Sequence, residues 1–562
     1  MPEKRKVVII GVDGGTFDLV KPWIAQGHLP HFKRLMDEGC HAVMHAPVGA
    51  PISPASWSSF ATGLTPAGHG ILDFVKLSSR VYARQIQTSR VRRGQTLWGY
   101  FSERGRTVGI SEVPLTYPPD TVNGFMVSGH PALTLKKSFT YPESLTAELL
   151  EAVPDFVSAA AKIVRVHRSP GDKYAEFAKW LYRTAESRLR SGLWLYDRFK
   201  PDLFCQELMG TDWASHYYWH FMDPESPFDI TAEERRRYSK VILDMYEAAD
   251  QFIAEMLARV DANTVVIAMS DHGFCPTYKV LNVRQWLAER GLLTFTQRRT
   301  NLPLRLARWL WWTLKHVLPE RAADWLNTHF PRAMRRARGM GEFAAVDFSR
   351  TKAYPLGSFR HIYVNVRGRQ PHGIVEPGEE YERLRDRIIR EFDELRAPDT
   401  GHKLVRKVHR REELMDGPFL GEAPDLLIEW ADHTFAFAGA EAGPGPVFSR
   451  LGLSKDRWLR SANHDPRGIL LVWGPAIEPG RALPDCSITD VLPTVMYAAG
   501  EPVPEGLDGR VLEEAFSESF RRSNPLTYFH SEGGAAQEGA QAFTGAENEE
   551  VAEHLRGLGY LD

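Results

Sequence analysis

The sequence predicts an α/β protein with a mainly parallel central sheet covered by helices on both faces. Three observations predict it. Short apolar runs recur along the 562 residues: Val7–Val12, Arg106–Ile110, Asp202–Met209, Thr264–Met269 and Gly468–Trp473. Each is followed by a helical pattern, and strands that alternate with helices build a parallel sheet. The first and fourth runs end in polar, glycine-marked exits, Asp13-Gly14-Gly15 and Ser270-Asp271-His272-Gly273. Ligands of such sheets gather at the carboxyl ends of the strands.

Val7–Val12 follows the basic start Met1-Pro2-Glu3-Lys4-Arg5-Lys6 and is interrupted by Asp13. It is too short for a signal segment or a membrane span, which needs roughly 20 apolar residues, and so reads as the first buried strand. No later stretch reaches that length. The helix after Ile488 has clear signals: Thr489 or Asp490 as cap, Pro493 in the first turn, Gly500 and Pro502 as the stop. Two regions break the alternation. Residues 296–345 carry Leu302 to Trp312, with three tryptophans, and then a basic run from Arg332 to Arg338. On a helix Arg305, Arg308 and Lys315 share one face, and Leu306, Leu310, Leu314 and Val317 another. The segment reads as a helical insertion packed over the core, as a lid, or as a basic element that touches a membrane surface. Residues 521–562 read as a loose linker and a short terminal helix. The core is therefore expected in two pieces, 1–295 and 346–520.

Composition excludes several classes. Hydrophobic residues at 43% and charged residues at 25% are those of an ordinary globular protein. A net charge of −2 gives no general argument for nucleic acid. Cys40, Cys205, Cys275 and Cys486 stand far apart, so neither a disulfide framework nor a cysteine zinc site is expected. A reducing, cytoplasmic setting is the expectation.

The candidate site is a set of metal-competent side chains at strand exits. Asp271 offers a hard oxygen and His272 a borderline nitrogen, a mix that suits a divalent ion such as zinc. Asp212 and His216, four apart after the Asp202–Met209 run, share one helical face and can chelate one ion. His464 lies in a loop that enters the next buried strand. Ser53 precedes Pro54 at the start of a helix through Ser56 to Thr62, with Ser53 as N-cap. A helix N-terminus offers N–H groups and a positive dipole end to a phosphoryl oxygen, so Ser53 is placed to attack phosphorus.

Taken in chain order, these residues resemble the alkaline phosphatase superfamily, in particular its type I phosphodiesterase and nucleotide pyrophosphatase branch. The matching stretches are Asp13, Ser53 with Thr62-Gly63, Pro66 with His69-Gly70-Ile71, Asp212 with His216, Ser270 to Gly273, and His464. Asp490-Val491-Leu492-Pro493-Thr494 and Asp508-Gly509 resemble a C-terminal signature of the superfamily. The resemblance implies an alkaline phosphatase-like three-layer α/β/α sandwich with inserted cap or lid segments. It implies a metal-dependent phosphohydrolase, a phosphodiesterase by branch, acting on a small phosphate ester. Two divalent ions are implied, zinc first, with manganese as an alternative. By motif, Asp212, His216 and His464 would hold one; Asp13, Asp271, His272 and the Ser53 oxygen would hold the other. Ser53 would form a phosphoseryl intermediate. Ser56 stands where the pyrophosphatases carry a phosphoryl-binding Asn, and Arg360 and Arg467 are candidate substrate contacts.

Four alternatives remain. A sulfatase needs a Cys/Ser-x-Pro-x-Arg motif, whereas Pro54 follows Ser53 directly. A phosphomutase needs a Gly-Asn-Ser-Glu type motif that is absent. A phosphomonoesterase would need an Arg beside Ser53, and none is visible there. A catalytically silent binding protein would be expected to lack one or more of the ligands, all of which are present.

Overall fold

The computed structural model describes residues 4–47, 51–78, 83–131, 139–157, 172–296, 346–357, 361–437, 443–451 and 459–531, with Val551. Residues 297–345, Arg360 and residues 532–562 apart from Val551 lie outside these residues.

The chain enters the central sheet at β1 (Lys6–Val12) and passes through α1 (Phe17–Ala25) and α2 (Pro30–Glu38) to β2 (Cys40–His45). Helices α3 (Ser53–Thr62) and α4 (Leu97–Glu103) lead to β3 (Val108–Ser111), β4 (Gly124–Val127) and β5 (Thr140–Tyr141). Helix α5 (Lys173–Phe199) leads to β6 (Leu203–Leu208); α6 (Gly210–Met222) and α7 (Val241–Leu257) lead to β7 (Thr264–Met269). Strand β8 (Gly273–Pro276) follows at once. A cap sheet comes next: β9 (Ala353–Leu356), β10 (His361–Val364), α8 (Glu379–Asp393), β11 (Val405–Arg410) and β12 (Leu426–Trp430). The chain returns through β13 (Ala462–Asp465), β14 (Arg467–Trp473) and β15 (Arg481–Ala482) to α9 (Val491–Ala498).

Among the described residues the central sheet has ten strands, with the main path running β15-β2-β14-β7-β1-β6-β3-β4-β5. Strands β7, β1, β6, β3 and β4 are parallel neighbours. Strand β14 runs antiparallel to both β7 and β2. The apolar runs are continuous because both faces are buried. Along β1, Val8, Ile10 and Val12 join one core with Phe17, Phe32, Leu181 and Phe252 of α1, α2, α5 and α7. Val7 and Ile9 join the other, with Trp57 of α3, Trp98 of α4 and Val495 of α9. The predicted three-layer α/β/α sandwich is therefore present.

The topology collects one edge. Strands β7, β1 and β6 end there, and their exits carry Asp271-His272, Asp13 and the start of α6. The antiparallel β14 begins at that edge, which brings the preceding β13 to it. Strand β2 ends there too, before the turn into α3.

Two local readings are corrected. His464 lies in a strand rather than a loop: β13 pairs antiparallel with β8, His464 opposite Phe274. Helix α3 starts one residue early, with Ile52 at the N-cap and Ser53 as the first helical residue, so its hydroxyl makes no cap bond. The N-cap of α9 falls on Asp490, one of the two residues the sequence offers; its carboxylate makes no cap bond to α9 and accepts instead from the Ser487 and Arg510 N–H groups. Among the described residues no helix is long and apolar enough to cross a membrane, and all four cysteines are free.

The His69 stretch ties the edge to α3. His69 Nδ1 accepts from the Ile71 N–H at 3.1 Å, which leaves Nε2 to donate to Ser59 Oγ at 3.0 Å. Burial, helped by the Arg92 charge, pushes the imidazole down to about 3. An unfolded histidine titrates near 6.5. The folded value is depressed, so the contribution of the neutral ring is present above about pH 6.5 and is lost as pH falls below it. The stability difference between wild type and His69→Gln should move by about 2 kcal/mol against wild type from about pH 7 to pH 5. Urea titrations at the two pH values check this, and an unchanged difference contradicts it.

Candidate metal and phosphoryl-transfer site

The edge brings together seven side chains named from the sequence: Asp13, Ser53, Asp212, His216, Asp271, His272 and His464. All are buried. Asp13 follows β1 at a turn that requires glycine: Gly14 has φ +68, and a Cβ there would lie 2.4 Å from the Phe274 ring. The Gly14 N–H donates to Asp271 Oδ1 at 3.3 Å, linking the exits of β1 and β7. Trp57 of α3 donates from Nε1 to Asp13 Oδ2 at 3.1 Å.

Two clusters share this space. In the first, His464 Nε2 lies 3.1 Å from His216 Nε2 and 3.3 Å from Asp212 Oδ1, and His216 Nε2 lies 3.5 Å from Asp212 Oδ1. In the second, His272 Nε2 lies 3.3 Å from Asp271 Oδ2, 3.7 Å from Asp13 Oδ1 and 3.4 Å from Ser53 Oγ. The clusters abut: the His272 and His464 rings stack at 3.7 Å. His272 also comes within 4.0 Å of Asp212 Oδ1, so it stands between the two sets rather than in one alone.

The hydrogen bonds around the three rings fix what they offer. The Nδ1–H groups of His216, His272 and His464 donate to the carbonyls of Ala462 (3.0 Å), Gly273 (3.1 Å) and Pro51 (2.8 Å). Each ring therefore directs an Nε2 lone pair inward, the tautomer a metal ligand needs. Burial holds His272 down at about 4 and His464 at about 3. Burial, then the Arg460 charge, holds His216 well below its usual range. All three are neutral near pH 7. Burial and the neighbouring charges of Asp271, Asp212 and Glu207 push the Asp13 carboxyl well above its ordinary value. Burial raises that of Asp271 against the pull of His272.

These atoms fit divalent ions. Asp13 Oδ1 and Asp271 Oδ2 are buried without a hydrogen-bond partner. They face imidazole lone pairs, so acceptor meets acceptor, and a cation resolves the clash. Mixed carboxylate and imidazole donors suit zinc or manganese.

The other candidates are placed differently. Ser56 is buried on α3 with no hydrogen-bond partner for its hydroxyl. Arg467 is half-exposed and paired with Asp465 at 2.9 Å and Asp18 at 3.5 Å, so its charge is already engaged. Arg360 lies outside the described residues.

Sequence reasoning missed four residues. Arg460 reaches the first cluster, with a guanidinium nitrogen 2.6 Å from His216 Nε2. Beside Asp13, fully buried Arg188 pairs with Glu112 at 2.9 Å and Glu207 at 3.5 Å. Glu207 had a signal, a carboxylate inside an apolar strand; Arg188 sits in a long amphipathic helix and had none.

The sequence model of the family described as type I phosphodiesterase / nucleotide pyrophosphatase matches residues 7–459. No curated protein matches the chain. Among solved structures, phosphonoacetate hydrolase from Sinorhizobium meliloti 1021 in complex with phosphonoacetate shares the fold. It is 16% identical over 88% of this chain and 95% of its own, with a TM-score of 0.50. An inactive form of murine ectonucleotide pyrophosphatase / phosphodiesterase 5 in complex with AMP is 12% identical over 92% of this chain and all of its own, at 0.48. The human form is 14% identical over 92% of this chain and 99% of its own, at 0.46.

Asp271→Asn removes a buried carboxylate that lacks a compensating cation in the metal-free protein. The variant should melt higher than wild type after chelator treatment, and should lose most of the rise in Tm that zinc or manganese gives wild type. Thermal melts with and without metal test both signs. A lower melting temperature of the chelated variant would count against the repulsion.

Proposed function

The chain belongs to the type I phosphodiesterase / nucleotide pyrophosphatase family of phosphoester hydrolases, and on that premise we propose a metal-dependent phosphodiesterase in which Ser53 is the nucleophile. The observation that carries the reading is the approach of Ser53 Oγ to 3.4 Å from His272 Nε2, where two abutting acidic and imidazole clusters meet a helix start.

Asp13, Asp271, His272 and Ser53 would hold one divalent ion, and Asp212, His216 and His464 the other. Such ions lower the pKa of a serine hydroxyl and offset the negative charge on a departing oxygen. Ser53 stands at the first position of α3, so the positive end of the helix dipole faces the incoming phosphoryl group. The burial of these side chains lowers the local dielectric and strengthens each of these interactions.

Ser53 Oγ gives its proton to solvent and attacks phosphorus in line. The Oγ–P bond forms, the ester P–O bond breaks, and the departing alkoxide takes a proton from solvent. A water then attacks the phosphoseryl group, the P–Oγ bond breaks and the serine hydroxyl is restored. Each displacement inverts phosphorus, so its configuration is retained. Carbonyl-bound Nδ1–H groups hold the three imidazoles in place throughout, and Trp57 holds Asp13.

Ser53→Ala should lower turnover of bis(p-nitrophenyl) phosphate by about a thousandfold or more while bound metal per chain stays as in wild type. Steady-state rates and elemental analysis of the same preparations test this. An active Ser53→Ala protein would remove Ser53 from the nucleophile's role.

A further inference from the structure

We propose that Thr211 is a positioning residue for the two-ion site: its hydroxyl locks the Asp13–Gly14 peptide, and through that peptide it orients the Asp271 carboxylate. This rests on the two-ion reading above and adds a residue that reading does not use.

Val12 to Gly15 form a β-turn at the exit of β1, closed by the Gly15 N–H donating to the Val12 carbonyl at 2.9 Å. Asp13 and Gly14 are its central residues, and Gly14 has φ +68, the positive value that the third position of a type II turn requires. The peptide between them is the one such a turn can invert. Type I and type II turns share the closing bond and differ in the direction of that central peptide. Glycine at position 14 adopts either sign of φ without a steric cost.

Other groups fix the two ends of the turn. The Asp13 N–H donates to the Leu208 carbonyl at 3.3 Å. The Tyr246 hydroxyl accepts from the Thr16 N–H at 3.2 Å and lies 3.3 Å from the Gly14 carbonyl, to which it donates. The central peptide is held from both sides. Thr211 Oγ1 donates to the Asp13 carbonyl at 2.6 Å, and the Gly14 N–H donates to Asp271 Oδ1 at 3.3 Å. A trans peptide points its C=O and N–H in opposite directions, so a hold on one aims the other. The short threonine bond therefore aims the Gly14 N–H at Asp271. With Oδ1 engaged in this way, Oδ2 is the Asp271 oxygen left without a hydrogen-bond partner, and it lies 3.3 Å from His272 Nε2.

Thr211 is buried in the first turn of α6, beside Asp212, with the Leu208 carbonyl as a second, longer neighbour at 3.3 Å. The contacts thus run from the helix that carries Asp212 and His216, across the exit of β1, to the exit of β7. One hydroxyl ties the geometry of one cluster to that of the other. An inverted peptide would turn the Asp13 carbonyl toward the Asp271 carboxylate, acceptor against acceptor, and displace the carboxylate from its place beside His272.

Full-length wild type, Thr211→Val, Thr211→Ala and Thr211→Ser are compared after chelator treatment. Zinc is titrated in by calorimetry, and kcat and KM for bis(p-nitrophenyl) phosphate are measured on the loaded proteins. Wild type should bind zinc in two steps. Thr211→Val keeps the shape of the side chain and removes the donor. It should weaken one step, the one that Asp271→Asn also weakens, and lower kcat, each about ten- to hundredfold, while the other step and KM stay as in wild type. Thr211→Ala should do the same, so the outcome does not depend on how valine packs. Thr211→Ser keeps the donor and should behave as wild type. Two undiminished steps in Thr211→Val and Thr211→Ala overturn the proposal, as does equal weakening of both steps. A Thr211→Ser protein as impaired as Thr211→Val assigns the effect to packing and also overturns it. Each of these results, with two steps in wild type, leaves the two-ion reading standing. Wild-type protein that binds fewer than two ions overturns both.

Discussion

Three buried carboxylates, those of Asp13, Asp212 and Asp271, converge on one imidazole, and the rest of the functional edge is organised around their repulsion. Each has an oxygen within 4.0 Å of His272 Nε2. Two such charges about 4 Å apart repel by about 4 kcal/mol at an effective dielectric of about 20. The three histidines around them are held neutral by burial. The buried Arg188 beside Asp13 is already shared by Glu112 and Glu207. A fold that maintains this arrangement is built for positive charge from outside the chain.

The architecture explains how so unfavourable a cluster is held together. Parallel strands β7, β1 and β6 present their exits side by side, and the antiparallel β14 starts where they end. The two buried faces of the sheet fix those exits by packing both sets of alternating side chains, so the polar residues beyond them cannot separate without disturbing a core. Helix α3, which begins with Ser53, is keyed to the same edge twice, through Trp57 to Asp13 and through Ser59 to His69. Position of the serine and position of the ligands are therefore one property of the fold.

The parts legible in the sequence are those written in short-range pattern. Thr264–Met269 is a strand with the bounds its apolar run predicts, and the adjacency of Asp271 and His272 at its exit marks the site. Asp212 and His216 share a helix because a spacing of four is a helical fact. What escaped was long-range or only four residues long. The pairing of Gly273–Pro276 with Ala462–Asp465, which makes His464 a strand residue, joins segments almost two hundred residues apart, and neither has a visible period. The cap sheet of β9 to β12 is equally unmarked, since its strands are short and interrupted by prolines and charges. Arg460 looked like one basic residue among many. Its role as a neighbour of His216 arises only when β13 docks on α6. Arg467, which the sequence offered as a substrate contact, is held by Asp465 two residues before it.

The central proposal is that this edge holds two divalent ions. Its most direct test is the number of metal equivalents per chain, measured by elemental mass spectrometry on full-length wild-type protein after loading with zinc or manganese and removal of free ion. The account predicts two equivalents, removable by chelator and restored on re-addition. A protein that retains one equivalent or none would contradict it.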